Sequence, residues 1–154
     1  MKADRFEDCD ALIMAAGDAF IAAAPDGSIL LWNPGAERIF GYKEQEALGQ
    51  SLDLIIPERF RDRHWEGYRR VMRTGSTRYG TQVLRVPALH KDGHRVSIAF
   101  TVALLFKPSG SVKSIAAIVR DETERWQEER ALRDRVAQLE ALAQGNEAGP
   151  GSPH

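Results

Sequence analysis

The sequence is poor in cysteine and in long apolar runs. Cys9 is the only cysteine among 154 residues, which excludes an internal disulfide and a cysteine-rich zinc site. No apolar run reaches the roughly 18 residues that a membrane-spanning helix needs. The first ten residues, MKADRFEDCD, are acidic and lack the pattern of a secretory signal. These absences predict a soluble cytoplasmic protein without a membrane partner.

An excess of either charge is also missing. The net charge is -1 although 28% of the residues are charged, so the chain has no global basic field for nucleic acid. The stretch RFRDRHWEGYRRVMR mixes aromatic and basic groups, as nucleic-acid binders do, but it also contains Asp62 and Glu66. No GxSxG, P-loop or paired catalytic histidines are present. We therefore expect neither a nucleic-acid partner nor an enzyme.

The apolar residues that are present, 43% of the chain, suffice for one domain with an appendage. Apolar spacing predicts an amphipathic helix in residues 6–18, which forms an N-terminal segment, 1–18. Two apolar runs joined by Asp26-Gly27 predict a β-hairpin. Short helices follow, and the last of them spans about 57–74. Strands are expected at 79–89, 95–106 and 112–121, and together these elements predict an α+β domain with helices over one face of an antiparallel sheet.

Residues 122–144 change in character and predict a long helix. Its apolar positions follow a spacing of 4-3-4, and they are Leu132, Val136, Leu139 and Ala143. This is the a/d pattern of a coiled coil. In a parallel pair, Glu128 would meet Arg133 of the second copy, and Arg135 would meet Glu140. The pattern favours a homodimer, with a solvated helix packed on its own domain as the alternative, and the tail 145–154 is expected to be disordered.

Four stretches of the chain together resemble the PAS domain family. They are DGSILLWNPGAERIFGYKEQEALGQ, IPERF, KDGHRVSIAFTVALL and IVRDETER. The resemblance implies a PAS sensor core, 19–121, in which a five-stranded antiparallel sheet and helices enclose a ligand pocket. It also implies sensing or protein interaction. RDETER resembles the family's D-x-T motif, in which Asp121 and Thr123 link the core to a signalling helix, a role compatible with Thr123 as a helix N-cap.

A histidine lies on the apolar face of the helix at 57–74. Helical spacing places Phe60, His64, Gly67, Tyr68 and Val71 on one face. A lone helical histidine is usually an ordinary core or surface residue. However, a glycine in mid-helix costs about 1 kcal/mol against alanine, so Gly67 suggests the close approach of a flat group. Arginines near the helix could pair with carboxylates, and they are Arg61, Arg63, Arg69 and Arg70.

The segment IPERFRDRHWEGYRR resembles the haem-binding PAS gas sensors of the FixL and Dos types. Pro57, Arg61 and His64 fall on their P-x-x-x-R-x-x-H pattern. This resemblance implies that His64 is the proximal ligand of haem b and that Arg70 binds a propionate. The function implied is the sensing of a diatomic gas (O2, CO or NO), relayed by the C-terminal helix of a homodimer to an unknown downstream signalling protein.

The other side of the implied haem differs from those sensors. Leu84 stands where they have an arginine that faces the gas, and strand alternation sends Arg85 to the opposite face. Gln82 stands where the Dos type has a methionine ligand, and it could instead donate a hydrogen bond. Phe100 and Val102 would form an apolar wall. If haem binds, we expect a five-coordinate ferrous iron.

Alternatives to haem remain open at this point. Residues 34–74 contain no cysteine, which argues against the flavin photochemistry of LOV domains, whereas a non-covalently bound flavin is compatible with the sequence. The chain could also be a haem-free PAS interaction and dimerisation module whose pocket is empty or holds a metabolite. His90 and His94 flank a KDG turn and are interpreted as surface residues, and His154 lies in the tail.

Overall fold

The helices and strands were assigned in a computed structural model, which describes the backbone of residues 2–147 and the side chains of residues 8–146. The elements, in chain order, are α1 (Lys2–Ala15), β1 (Ala19–Ala23), β2 (Ile29–Trp32), α2 (Pro34–Phe40), α3 (Glu44–Ala47), α4 (Arg61–Thr74), β3 (Leu84–Leu89), β4 (Arg95–Phe106), β5 (Val112–Asp121) and α5 (Thr123–Glu147). Two 3-10 turns, Leu52–Ile55 and Glu58–Phe60, precede α4.

The five strands form one antiparallel sheet in the order β2-β1-β5-β4-β3. The last strand lies at the centre, where it pairs with β1 on one side and with β4 on the other. The predicted architecture of an antiparallel sheet with short helices is therefore confirmed. Because β1 and β5 are neighbours, residues about a hundred positions apart in the chain become partners, as in the pair Ala19 and Val119.

The first hairpin turns at Asp26-Gly27, as predicted. The Asp26 carboxylate accepts hydrogen bonds from the Ser28 backbone N–H at 2.9 Å and from its hydroxyl at 2.6 Å. Gly27 has a φ of +89°, which residues with a Cβ rarely adopt. The local chemistry of the turn therefore agrees with the strand pairing on either side of it.

The third strand is shorter than predicted. It begins at Leu84 and not at residue 79. The Gln82 backbone N–H donates to the Tyr79 carbonyl at 2.7 Å, and Gly80 adopts a positive φ of +54°. This turn interrupts the extended backbone, so strand alternation does not reach Gln82. Three other bounds differ: α1 spans Lys2–Ala15 and not 6–18, residues 58–60 form a 3-10 turn before α4, and α5 continues past residue 144 to Glu147.

Among residues 8–146, whose side chains are described, Asn33 is the one polar residue that is fully buried. Its Oδ1 accepts hydrogen bonds from the backbone N–H groups of Phe20 at 2.8 Å and Ala36 at 3.0 Å. Its Nδ2 donates to the carbonyls of Ile13 at 2.8 Å and Asp18 at 3.1 Å. Asn33 therefore caps α2 and joins it to β1 and to the end of α1, surrounded by buried groups such as Trp32.

The chain divides into a unit that ends at Asp121 and a second unit that begins at Glu122. In the second unit, α5 carries surface ion pairs, with Arg125 Nε 3.2 Å from Glu129 Oε1. Its large apolar side chains are exposed, and they are Trp126, Leu132, Val136, Leu139 and Leu142. Among residues 2–147, none of the helices combines the length and the apolar character needed to cross a membrane. The predicted disordered tail lies, from residue 148 on, outside the described residues.

Candidate ligand pocket

A cavity of about 720 Å³ lies between one face of the sheet and α4. This volume falls within the range of roughly 300–1,000 Å³ that is typical of small-molecule sites. Nine of the predicted site residues line it, and they are Phe60, His64, Gly67, Tyr68, Arg70, Val71, Leu84, Phe100 and Val102. Gln82 is not among the lining residues, and it lies in the turn before β3, which strand alternation does not reach. That a ligand contacts any of these residues stays a prediction.

The sheet side of the cavity follows from strand alternation. In the middle of β4, alternate residues line the cavity, namely Ile98, Phe100 and Val102. On the neighbouring β5, Val119 pairs with Phe100, and Ala117 pairs with Val102. The small side chain at 117 leaves space where the larger groups of β4 end. The sheet therefore contributes an apolar wall.

The helix side is set by the 3–4 residue spacing of α4. Phe60, His64, Gly67, Tyr68 and Val71 all reach the cavity, as the helical pattern predicted. Apart from its two chain neighbours and the backbone of its own helix, a Cβ built on Gly67 would meet no atom within 4 Å. The absence of a side chain at this position therefore leaves open space in the wall, and no protein group explains the glycine by close packing.

His64 is held between two aromatic rings. Its ring lies edge-on to Trp65, with centroids 4.7 Å apart, and is tilted against Tyr68 at 5.7 Å. Its Nδ1 is buried and has no hydrogen-bond partner among the described residues. Burial lowers the pKa of His64 below its ordinary value of 6.5, and the nearby Asp53 carboxylate opposes this effect only in part. The ring is therefore a neutral imidazole at neutral pH, which is the protonation state that binds metals.

The neighbours of His64 are, by contrast, fixed by hydrogen bonds. The Trp65 Nε1–H donates to Asp53 Oδ1 at 2.7 Å. The Tyr68 hydroxyl donates to the Ala24 carbonyl at 2.5 Å, and burial raises the pKa of Tyr68 to about 12. These bonds attach α4 to the first hairpin and to the 3-10 turn at 52–55, so the position of His64 is determined by residues on either side of it.

The arginines predicted to lie near a ligand fall into two groups. Arg61 is occupied within the protein, because its Nε donates to the Ile56 carbonyl at 3.1 Å and its Nη2 to the Asp53 carbonyl at 3.3 Å. Arg69 does not line the cavity, whereas Arg63 and Arg70 do. Arg78 also lines the cavity and was not predicted.

The sequence patterns did not predict the part of the cavity wall that irregular segments form. These residues are Leu52, Ile55, Ile56, Thr74, Ser76, Thr77, Arg78 and Tyr79. They lie in a 3-10 turn, at the end of α4 and in the loop that follows it, where no strand or helix period indicates which side faces inward. The apolar group LDLII at 52–56 was the available signal, because an apolar cluster in an irregular segment usually packs inward.

Comparison with known proteins identifies the fold. The sequence profile of the PAS domain family matches residues 17–124. The chain belongs to the PAS domain family. A solved PAS domain of a protein from Colwellia psychrerythraea superposes with a TM-score of 0.69 at 21% identity, covering 79% of this chain and 99% of that one. That likeness supports the fold of this PAS domain.

Two curated relatives are sensors. The chain is 32% identical over 123 residues to the sensor protein FixL of Bradyrhizobium diazoefficiens, covering 79% of this chain and 24% of the relative. It is 26% identical over 114 residues to the oxygen sensor protein DosP of Escherichia coli, covering 74% and 14%. This PAS domain thus spans about a quarter or less of each of these two relatives. The resemblance to sensors of these two types, predicted from the sequence, is confirmed.

Proposed function

We propose that this PAS domain is a sensor that binds haem b in the cavity through His64 and detects a diatomic gas (O2, CO or NO). The observation that carries the proposal is the state of His64. Buried polar atoms in proteins are normally hydrogen-bonded, but the buried Nδ1 of this neutral ring has no partner among the described residues. A histidine that served only the core would be expected to have one.

The other lining residues suit the same group. The apolar side chains of β3 and β4, among them Leu84, Phe100 and Val102, match the apolar faces of a macrocycle. Arg63, Arg70 and Arg78 supply cations for two propionate carboxylates. When bound, the haem iron would supply reversible binding of a diatomic gas, and the polarity around the gas would decide which gas is preferred. Leu84 and Phe100 would make the surroundings of a bound gas apolar.

The names of the relatives support this reading. One is a sensor protein and the other an oxygen sensor protein. Both align with this chain over about three quarters of its length. The activity of a larger protein that contains this domain, and its downstream signalling partner, would depend on parts of the relatives that the chain does not cover.

The relay in this proposal is α5 in a homodimer. Its exposed apolar positions, Leu132, Val136 and Leu139, follow the 4-3 spacing of a coiled coil. Parallel pairing would bring Glu128 opposite Arg133 of the second copy and Arg135 opposite Glu140, so both pairs attract. A ligand that binds one arrangement of the domain more tightly shifts the population toward it, and α5 carries that shift to the partner.

The experiment is haem reconstitution of the full chain. The purified protein is mixed with excess haemin and desalted, and the Soret absorption band is recorded. We expect the wild type to retain haem at about one per chain and His64→Ala to lose it. His154→Ala, which removes a histidine far from the cavity in sequence, should retain the band. Added imidazole should restore haem binding to folded His64→Ala, because it can occupy the space of the missing ring and ligate the iron.

Two results would overturn the proposal: a wild-type protein without a Soret band after desalting, or a band of unchanged position and intensity in His64→Ala. Circular dichroism of each variant shows whether it is folded. Restoration by imidazole separates ligation from a merely structural role, because a misfolded variant would not recover the band.

A second candidate function is a haem-free PAS interaction module whose cavity holds a metabolite or a flavin. It is favoured by the apolar side chains that line the cavity, among them Leu52, Ile55 and Phe100, because a lining of this kind also suits an apolar metabolite or a flavin ring. Mass spectrometry of the small molecules released by denaturing the purified protein discriminates between the two candidates. A flavin or an apolar metabolite at one per chain would favour the second.

A further inference from the structure

Two histidines and an aspartate meet at the turn between β3 and β4, away from the residues that line the cavity. They are His90, Asp92 and His94, and their ligand atoms all lie within 4.8 Å of one another. His90 Nδ1 lies 3.1 Å from Asp92 Oδ1. His94 Nδ1 is hydrogen-bonded to the same carboxylate oxygen. Three groups of the type that bind metals thus converge on one point.

Hydrogen bonds within the turn and to α2 fix the backbone of this turn. The His90 N–H donates to the His94 carbonyl, and the Gly93 N–H donates to the His90 carbonyl, each at 2.9 Å. The Lys91 N–H donates to the Phe40 carbonyl at the end of α2, also at 2.9 Å. The turn is therefore fixed to a helix, and sites on a fixed scaffold hold their ligands at low entropic cost.

The His90 ring is also positioned by packing. It lies against Gly41, where a Cβ would come within 2.7 Å of the ring Nε2. Its side chain is only 22% exposed, whereas that of His94 is 55% exposed. His90 is thus the fixed ligand of the pair, and His94 is the one with room to move.

The nearest lysine does not oppose a cation here. Lys91 Nζ lies 2.5 Å from Glu46 Oε2 and 5.9 Å from the centre of the Tyr42 ring. Its charge is therefore compensated by a carboxylate on α3. A cation that enters the cluster meets two imidazoles and the Asp92 carboxylate.

We propose that His90, Asp92 and His94 bind a divalent transition-metal ion of the Zn²⁺ class. Imidazole nitrogen and carboxylate oxygen are ordinary ligands of Zn²⁺, and open positions are filled by water. With metal–ligand bonds near 2.1 Å, the ligand atoms of a tetrahedral site lie roughly 3.4 Å apart, close to the His90–Asp92 distance of 3.1 Å.

Metal binding requires two changes: His90 Nδ1 gives up the hydrogen bond that it accepts from the Asp92 N–H at 3.2 Å, and the His94 ring turns. The two rings are stacked, with centroids 4.4 Å apart and planes at 20°, so their planes are nearly parallel. The two rings converge on one ion when the exposed His94 ring turns about its side-chain bonds while His90 stays against Gly41. The ion replaces the hydrogen bond between His94 and Asp92 with two coordinate bonds.

The experiment is isothermal titration of the haem-free full chain with zinc chloride at mildly alkaline pH. We expect one zinc ion per chain. His94→Ala and Asp92→Asn should each weaken binding by at least about tenfold, because even residues that only support metal ligands cost that much. His154→Ala is the control for a histidine outside the cluster and should bind zinc as the wild type does. Mg²⁺ should not compete, because it prefers oxygen ligands.

Zinc affinity that is unchanged in both His94→Ala and Asp92→Asn would overturn this proposal, as would the absence of saturable binding to the wild type. Both substitutions are at exposed positions, and circular dichroism checks that each variant is folded. The haem experiment depends on a different histidine, so failure of one proposal leaves the other standing.

Discussion

Asn33, at the N-cap of α2, and His64, on α4, are both polar side chains, but their surroundings differ. Asn33 is completely buried and makes four hydrogen bonds to backbone groups. His64 lies on the cavity wall, and its buried Nδ1 makes none among the described residues. A buried polar group with all its partners stabilises the fold. One without a partner reduces stability unless a ligand supplies what is missing, so the comparison separates a structural residue from a candidate binding residue.

The largest expected effect is that of Asn33→Ala. It removes the cap of α2 and leaves the Phe20 N–H without its acceptor, so we expect a loss of about 2–4 kcal/mol of unfolding free energy. Urea denaturation followed by circular dichroism measures it. Ser51→Ala removes an exposed cap, in which Ser51 Oγ accepts from the Asp53 N–H at 3.1 Å, and should cost clearly less. Equal losses in the two variants would contradict the structural role of Asn33.

Tyr68 packs next to His64, and we expect Tyr68→Phe to cause a smaller loss of unfolding free energy. The Ala24 carbonyl keeps its second hydrogen bond, from the Gly27 N–H at 2.8 Å, so the cost should be about 0.5–1.5 kcal/mol. The matched control is Tyr79→Phe, since Tyr79 is 43% exposed and loss of its hydroxyl should therefore cost less. Thermal unfolding of the two variants tests this, and a larger loss in Tyr79→Phe would refute it.

For His64→Leu in the haem-free protein, we expect the opposite change in the free energy of unfolding. Replacing a partly buried ring that lacks a hydrogen bond with an apolar side chain should leave stability unchanged or raise it, by up to about 1 kcal/mol. The same variant should fail to retain haem. Urea denaturation and the Soret band are measured on one preparation, and destabilisation by more than about 1 kcal/mol would show that His64 is a structural residue like Asn33.

The smallest expected effect is on the pH dependence of stability. Because the pKa of His64 is lowered from 6.5 in the folded protein, the unfolded chain takes up a proton more readily. The contribution of His64 to stability is therefore complete above pH 6.5, is lost as pH falls from there toward the folded-state pKa, and changes no further below it. Melting temperatures across this range should fall more steeply in the haem-free wild type than in His64→Leu. Identical pH profiles of the melting temperature in the two proteins would contradict the lowered pKa of His64.

Most of the fold could be predicted, because regular elements carry a period in the sequence. The alternation of Ile98, Phe100 and Val102 indicated which side of β4 faces inward, and the helical spacing from Phe60 to Val71 did the same for α4. Gln82 was misplaced because a turn closed by its own N–H ends the alternation two residues before β3.

The role of Asn33 could not be predicted, because it depends on distant partners. Asn33 directly follows β2 in the sequence, and no local pattern there indicates its part in the core. Its partners on α1 and β1 include Ile13, which is 20 positions away. Arg78 was missed for a related reason, since it reaches the cavity from a loop that has no period. Contacts between such distant residues can be identified only in the folded structure.

The central position of β5 has a consequence for biosynthesis. The two hairpins β1–β2 and β3–β4 can form as soon as they leave the ribosome, because their contacts are local. Neither is bonded to the other in the finished sheet, and both are joined only through β5. The sheet therefore stays in two halves, with one edge each of β1 and β4 unpaired, until residues 112–121 have been synthesised. A chain interrupted before that strand would expose two open sheet edges, which are the templates from which aggregates grow.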